Sequence, residues 1–537
     1  MSSDTTTLKK MLNLDNVVIQ DYEIQQRSRH KFGNVYNQEI LNVNIRPDHW
    51  HHCLCPICQN KCSIYDHQLP TASTWRASNL GGIPVFLHYR PARIICPEHG
   101  VLTEFIPWAD GNSRFTPEFN NTVAWLVTRL PKTAIATYLD IDWRTVGNCV
   151  DLAWHRIEPD RTQRYIGVRK ICIDEVSYQR GHKYITVVYD MERNNVLWAG
   201  KGHEIETIKI FCEELSQEQQ DAIEIIAGDG AHWIDWAHKN YFHNAVRAVD
   251  PFHVTQWLND TLDSVRNKVA KEAKIEYEKL NKKFKELADD ADELIAFCEK
   301  EIENLSSKEI LPEDNIRELQ DAINELKQLK SDNNGAEIDL DKFNALFQKV
   351  SLLFEILKEK YKMIKGAKYA LGKNPENLTQ NQSDKLKIIE SECPLLYTVY
   401  QYKERLRAIL HMHDPCGAKE ELLKWIEDTQ KSEIPECIQI GKKVERHLEG
   451  ILNSIKFSAN SSKSEACNTS IRGLIYMGRG FRNLDNLISL VYLKCSNLVI
   501  PLFNRIQMTS EQLLNNRQHV NDLRHQRIES RKSLLAV

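Results

Sequence analysis

The chain has 537 residues, too many for one ordinary core, so about three to five domains are expected. Its 42% hydrophobic content fits a soluble globular protein, with neither a signal-peptide core at the start nor an apolar run of membrane-spanning length. A formal net charge of -4 excludes a chain that is basic throughout, so any nucleic-acid surface must be local, and fourteen cysteines in a cytosolic chain read as thiols and metal ligands rather than disulfides.

Residues 1–110 hold most of the clustered Cys and His. Cys55-Pro-Ile-Cys58 is followed by Cys96-Pro-Glu-His99. Two intervening residues let each pair reach one ion from a tight knuckle. Two knuckles then complete a closed, structural zinc site of three thiolates and one imidazole. His51, His52, Cys53 and Cys62 lie nearby but make no second evenly spaced pair. The β-rich segment VFLHYRPARII (85–95) suits the strands of a zinc ribbon. Isolated cysteines such as Cys298 and Cys437 read as small buried apolar residues.

Residues 112–160 are punctuated like a helix-turn-helix. Thr116-Pro117 starts a helix that Pro131 stops. TAIATYLD forms a short second helix, and Asp142 caps a third, WRTVGNCVDLAWHR. Val146, Val150, Ala153 and Trp154 share one face of it. Arg144, Thr145 and Asn148 are left exposed near its N-terminus, where a recognition helix touches base edges. A plain three-helix bundle with a solvated face is the bland alternative.

Residues 165–268 alternate strand and helix patterns. IGVRKICIDEVSY carries Asp174; KYITVVYD and NNVLWAG are further strands, and GHEIETIKIFCEEL is helical. IEIIAGDG is a buried strand ending at Asp229, followed by a helix (HWIDWAHKN), a strand (NAVRAV) and a helix from DPFHV. This is the order of a ribonuclease-H-like core, in which the first and fourth strands are neighbours. Asp174 and Asp229 would then share one edge of the sheet. Paired carboxylates suit Mg²⁺ or Mn²⁺, and two such ions can serve both oxygens of an in-line phosphoryl displacement. They need a third carboxylate, which Glu465 offers. Asn468 and Arg472, three and seven residues on, share its helical face. Asn468, Arg472, Arg479 and Arg482 are expected to contact DNA, the three arginines at its backbone. As isolated residues the two aspartates would read as strand-end caps and Glu465 as a surface residue.

Residues 269–450 read as an all-helical insertion, broken by the linker SDNNGAE (331–337). IEYEKLNKKFKELADDADELIAFCEKEIENL has heptad-like patches with charges of both signs. It reads as a solvated helical hairpin, or else as a dimerisation arm or DNA clamp. Residues 451–510 return to the core with Glu465, and 511–537 form a polar, basic tail. The fold class is thus multidomain α/β: a ribonuclease-H-like core interrupted by helices and preceded by a zinc ribbon and a helix-turn-helix.

Together these motifs resemble a bacterial insertion-sequence transposase of the ISL-three (ISL3) family, a branch of the Asp-Asp-Glu transposases. The likeness covers the zinc knuckles, the helix-turn-helix, IDEVSYQRGHKYITVVYD, the Asp229 strand and DPFHV with VRNKV. NPENLT, PLLYTVYQYKERL and the stretch from Glu465 to GFRN extend it. The resemblance implies Asp174, Asp229 and Glu465 as the catalytic triad, acting on double-stranded DNA. It also implies binding to terminal inverted repeats, a homodimer on paired ends, and a cytoplasmic, nucleoid-associated location. His99 stands where the family often has Cys, and Tyr476 where a basic residue is commoner. The helices across about 270–365 are longer than the family leads one to expect. The competing readings are a non-catalytic DNA-binding regulator and a structure-specific nuclease or resolvase without strand transfer. The intact triad argues against the first; the second shares the same metal chemistry.

Overall fold

The computed structural model describes residues 2–31, 34–67, 72–286, 313–332, 358–458, 462–481 and 483–503, with a few positions between 293 and 303. Helix α1 (Ser2–Met11) precedes a long antiparallel hairpin of β1 (Val17–Lys31) and β2 (Asn34–Pro47). Strands β4 (Ser73–Leu80) and β5 (Ile83–Tyr89) join it in a four-stranded sheet of order β1-β2-β5-β4. Gly81 and Gly82, with φ of 57° and 89°, make the tight β4–β5 turn that needs two left-handed residues. Val17, Val43, Ile45, Trp75, Val85, Leu87 and Trp108 form the core beneath this sheet.

A separate three-stranded sheet, β3 (Ser63–Asp66), β6 (Arg93–Cys96) and β7 (Gly100–Thr103), contains Cys96, and Ile94 of β6 packs in one cluster with Cys53 and Cys55. The segment 85–95, read above as ribbon strands, is therefore divided. Its first half is β5, whose Val85 and Leu87 belong to the larger core, and only its second half enters the ribbon.

Helices α2 (Pro117–Val127), α3 (Lys132–Leu139) and α4 (Trp143–Ile157) follow. The Thr116 hydroxyl accepts from the Phe119 amide at 3.3 Å, and Asp142 accepts from the Arg144 amide at 2.7 Å. Asp140, in the left-handed region with φ 54°, closes α3. Val146, Val150, Ala153 and Trp154 are buried, as their spacing requires.

Next come β8 (Lys170–Gln179), β9 (Lys183–Asp190) and β10 (Asn195–Lys201), then α5 (Ile205–Glu214), α6 (Gln217–Ala222), β11 (Ile225–Gly228), α7 (His232–Tyr241) and β12 (Val246–Val249). The sheet order is β10-β9-β8-β11-β12, so the first and fourth strands of the series are neighbours. All of β11 is buried, as is β9 from Ile185 onward.

Helices α8 (Pro251–Glu286), α9 (Glu313–Asp332), α10 (Lys368–Gly372), α11 (Gln380–Glu392), α12 (Pro394–Leu410), α13 (Pro415–Gln430), α14 (Pro435–Arg446) and α15 (Leu448–Phe457) come next. Proline opens α12, α13 and α14, where its missing N–H costs nothing. Two cores hold the helices, one around Trp425, Leu406 and Val444, the other around Leu396, Ile389 and Leu262. Ala270 and Ile364 belong to the second, so the stretch 270–365 is anchored in packed helices at both ends. The linker at 331–337 lies largely outside the described residues. Cys298 and Cys437 are buried, as small apolar residues would be.

Finally, α16 (Ser462–Gly478) and α17 (Asp485–Cys495) close the described chain; the tail 511–537 lies outside it. The chain divides into two compact units. One comprises residues to Ile226, His232–Ala245 and those from Ser462 on; the other comprises Ala227–Ala231 and Val246–Ser461. The second unit thus holds the Ala227–Ala231 segment, β12 and helices α8 to α15. Among the described residues no helix is long and apolar enough to cross a membrane.

Within the first unit α17 holds the helix-turn-helix to the sheet. The rings of Tyr492 and Trp154 stack with centroids 5.0 Å apart, while the Tyr492 hydroxyl accepts from the Ala199 amide at 2.8 Å. Ser489 donates to Asp151 at 3.1 Å, and Lys494 donates to the Thr128 carbonyl at 3.0 Å. Gly147 of α4 is the close-approach point, since a Cβ there would lie 2.1 Å from Asn486 Oδ1. Gly147→Ala should therefore destabilise the first unit by about 1–3 kcal/mol, the usual cost of overpacking. Denaturant unfolding measures this, and Asn486→Ala in the same chain should restore most of it. An unchanged midpoint in the single variant would show that Asn486 rotates away freely.

Candidate functional site

Strand β8 delivers Asp174 after three buried residues, Ile171, Cys172 and Ile173. Its pairing with β9 is regular from Ile171 to Ser177, so Asp174 and Glu175 lie on opposite faces of the sheet. Their partners follow suit. Asp174 Oδ2 accepts from Asn468 Nδ2 of α16 at 2.6 Å, and Oδ1 accepts from the Glu175 amide at 2.8 Å. Glu175 Oε2 instead lies 3.1 Å from His203 Nδ1.

Asn468 is fully buried, and its Oδ1 also accepts from the Tyr189 hydroxyl. It was expected to contact DNA with Arg472. It faces the sheet instead, because on α16 it falls on the helix face that Ser464, Ile471 and Leu474 bury. Burial and the neighbouring Asp174 carboxylate push the Tyr189 phenol well above its ordinary range, so it stays protonated and can donate. Glu465 lies in the first turn of α16, half-buried, with its Oε1 3.0 Å from Arg472 Nη1. Arg472 and Arg479 are exposed, and Arg482 lies outside the described residues.

Asp229 follows β11 directly. Its Oδ1 accepts from the Ala231 amide at 3.0 Å, and the Arg247 guanidinium donates to its backbone carbonyl. Gly230 has no room for a side chain: a Cβ would meet His447 Nε2 and the Trp257 ring, each at 2.9 Å. Lys443 lies over Trp257, 3.9 Å from the ring centroid. Burial lowers its pKa, while Asp229 and Asp260 pull it back up. Arg247, Trp257, Lys443 and His447 carry no local motif that would have marked them; only the fold brings them beside Asp229.

In the ribbon, the ligand atoms of Cys55, Cys58, Cys96 and His99 lie within 4.8 Å of one another. Cys58 Sγ and Cys96 Sγ are 3.7 Å apart; His99 Nδ1 is 3.5 Å from Cys96 Sγ and 3.8 Å from Cys55 Sγ. Tetrahedral zinc with ordinary bond lengths would put two sulfurs about 3.8 Å apart and a sulfur and nitrogen about 3.6 Å apart. The cluster could therefore bind zinc. His52, Cys53 and Glu104 form a second close group. There the buried Glu104 is already engaged by the Cys53 and Ala92 amides and the Tyr89 hydroxyl at 2.7–2.9 Å, which suits a structural role.

On α4, Arg144 and Asn148 are exposed and Thr145 is half-buried, all at the N-terminal end. The Arg144 guanidinium sits 5.6 Å from the centroid of the Trp143 ring.

Comparison with known proteins accounts for this arrangement. Residues 171–491 match a family model described as a transposase, of the ISL3 type, and residues 106–154 match the helix-turn-helix domain of transposase family ISL3. The chain is 31% identical over 440 residues to the transposase for insertion sequence element IS1557 from two strains of Mycobacterium tuberculosis, covering 82% of this chain and 85% of the relative. It is 22% identical over 443 residues to the transposase for insertion sequence element IS1001 of Bordetella parapertussis, covering 80% and 86%. A match over most of the chain, spanning both the helix-turn-helix and the five-stranded sheet, places this protein in the ISL3 family of insertion-sequence transposases.

Proposed function

We propose that the chain binds the terminal repeats of its insertion sequence through α2–α4 and then cuts and joins DNA at Asp174, Asp229 and Glu465, on a ribonuclease-H-like sheet. The observation that carries this reading is the tie between Asp174 and α16. Asn468 donates to the Asp174 carboxylate from the same helix that carries Glu465, and β8 neighbours β11, the strand just before Asp229. A hydrogen-bonded carboxylate oxygen keeps a further lone pair, so the donor set still suits hard divalent ions such as Mg²⁺ or Mn²⁺. A pair of such ions would supply charge neutralisation for the attacking and leaving oxygens.

The protein's own part is orientation. Tyr189 donates to Asn468, which in turn donates to Asp174, and the Ala231 amide donates to Asp229. Arg144, Thr145 and Asn148 are the proposed base readers, and Arg472, Arg479 and Arg482 the proposed phosphate contacts. Zinc at Cys55, Cys58, Cys96 and His99 would brace the ribbon. Because two transposon ends require two active sites, the working species is a homodimer on DNA, at the nucleoid.

Labelled transposon-end DNA incubated with the protein and Mg²⁺ tests the reading. Cleavage with joining supports it. Cleavage alone would make the chain a nuclease or resolvase, and binding without cleavage a regulator. Asn468→Ala should lower cleavage on the order of 10–100-fold, as removal of a group that orients a metal ligand does. The loss should be partly recovered at raised Mg²⁺, which a purely structural defect would not allow.

A further inference from the structure

The β1–β2 hairpin is longer than its sheet needs. Only Leu41–Asn44 of β2 pair with β5, yet the two strands continue together for Gln25–Lys31 and Asn34–Ile40. Seven residues at about 3.3 Å each make a ribbon that projects roughly 20 Å past the sheet. β1 is the sheet's edge strand, and Gln25–Ser28, Val35, Asn37 and Glu39 are all exposed.

The ribbon's charge is sorted by face and by height. Strand alternation puts positions 21, 23, 25, 27, 29 and 31 on one face, opposite Gln38, Tyr36 and Asn34 of β2. At the base that face carries Asp21 and Glu23; beyond them come Arg27, Arg29 and Lys31, with no acid from Ile24 to Gln38. Glu39 falls on the other face, where it accepts from Gln26 at 3.2 Å. Arg27, lowest of the three cations, reaches back to within 5.7 Å of the Phe86 ring centroid. A chain of negative net charge thus has basic residues at the alternate positions 27, 29 and 31 along one strand of a projecting two-stranded ribbon. The major groove of B-DNA is wide enough to admit such a ribbon.

Resting on the reading of the chain as an end-binding transposase, we infer that this hairpin is a second DNA-binding element, which lays Arg27, Arg29 and Lys31 against the backbone of the transposon-end duplex. The helix-turn-helix reads sequence; the ribbon adds affinity that depends on salt and little on sequence.

The test uses the full-length protein with all three cations changed to glutamine, Arg27→Gln, Arg29→Gln and Lys31→Gln. Glutamine keeps the strand pairing, and zinc content and melting temperature serve as fold controls. End-DNA affinity is measured against salt concentration. Each lost phosphate contact removes about 0.9 from the slope of log affinity against log salt, so the slope should shallow by about 2–3. In the opposite sense, Gln38→Lys on the same face should steepen it by about 1. Slopes unchanged in both variants would overturn the inference. Loss of self-association without DNA at an unchanged slope would also overturn it, marking the ribbon as a contact between copies. Failure of the unaltered protein to bind transposon ends at all would instead sink the functional reading on which the inference rests.

Discussion

Asp174→Ala, Asp229→Ala and Glu465→Gln should each abolish both cleavage and joining of transposon-end DNA while sparing DNA binding. Loss of one ligand to a catalytic ion removes several kcal/mol of transition-state stabilisation, or a rate loss on the order of a thousandfold or more. Cleavage and joining should fail together because both are phosphoryl displacements at one site. Binding should persist, or tighten slightly, because a carboxylate repels phosphate. Glu175→Gln is the matched control. Its carboxylate lies on the other face of β8, beside His203, and its loss should leave cleavage near normal. Full cleavage by Glu465→Gln with loss in Glu175→Gln would reverse the assignment.

Cys58→Ser should reduce zinc from about one ion per chain to almost none and melt the ribbon. The ribbon has little else to hold it: the buried residues at its centre are Cys53, Cys55, Ile94 and Cys96, with Leu102 packed at the side. So small an apolar set cannot offset the entropy of ordering three short strands, whereas a structural zinc contributes roughly 10–16 kcal/mol. His99→Cys should keep the ion, since thiolate and imidazole are both good zinc ligands. Metal analysis with circular dichroism checks both variants. Zinc retained in Cys58→Ser would move the site to other ligands, Cys62 first among them.

Elements whose burial follows chain order were legible in the sequence. KYITVVYD is β9 end to end, because its apolar run is bounded by turns on both sides. α4 begins where Asp142 caps it, and its buried face follows the helical period. At the base of the β1–β2 hairpin Leu41, Val43 and Ile45 alternate and are buried, whereas its outer half carries no apolar alternation from which a strand could be read. β5 was assigned to the ribbon because β-propensity gives a strand but not its partner. Asn468 was legible as a neighbour of Glu465 on a helix face. Its engagement with Asp174, 294 residues away in sequence, depends on which way α16 turns against β8.

The stacked Trp154–Tyr492 pair has a consequence for where the DNA is cut. Helix α4, strand β10 and strand β8 belong to one unit and are tied together through α17. Asp174 therefore stands at a set distance from the residues proposed to read bases. On the proposed function such a unit would work as a ruler, measuring in whole base pairs from the base pairs read by α4 to the phosphate cut at Asp174. An end whose spacer grew by about five base pairs would present that phosphate on the far side of the helix, half a turn from the carboxylate.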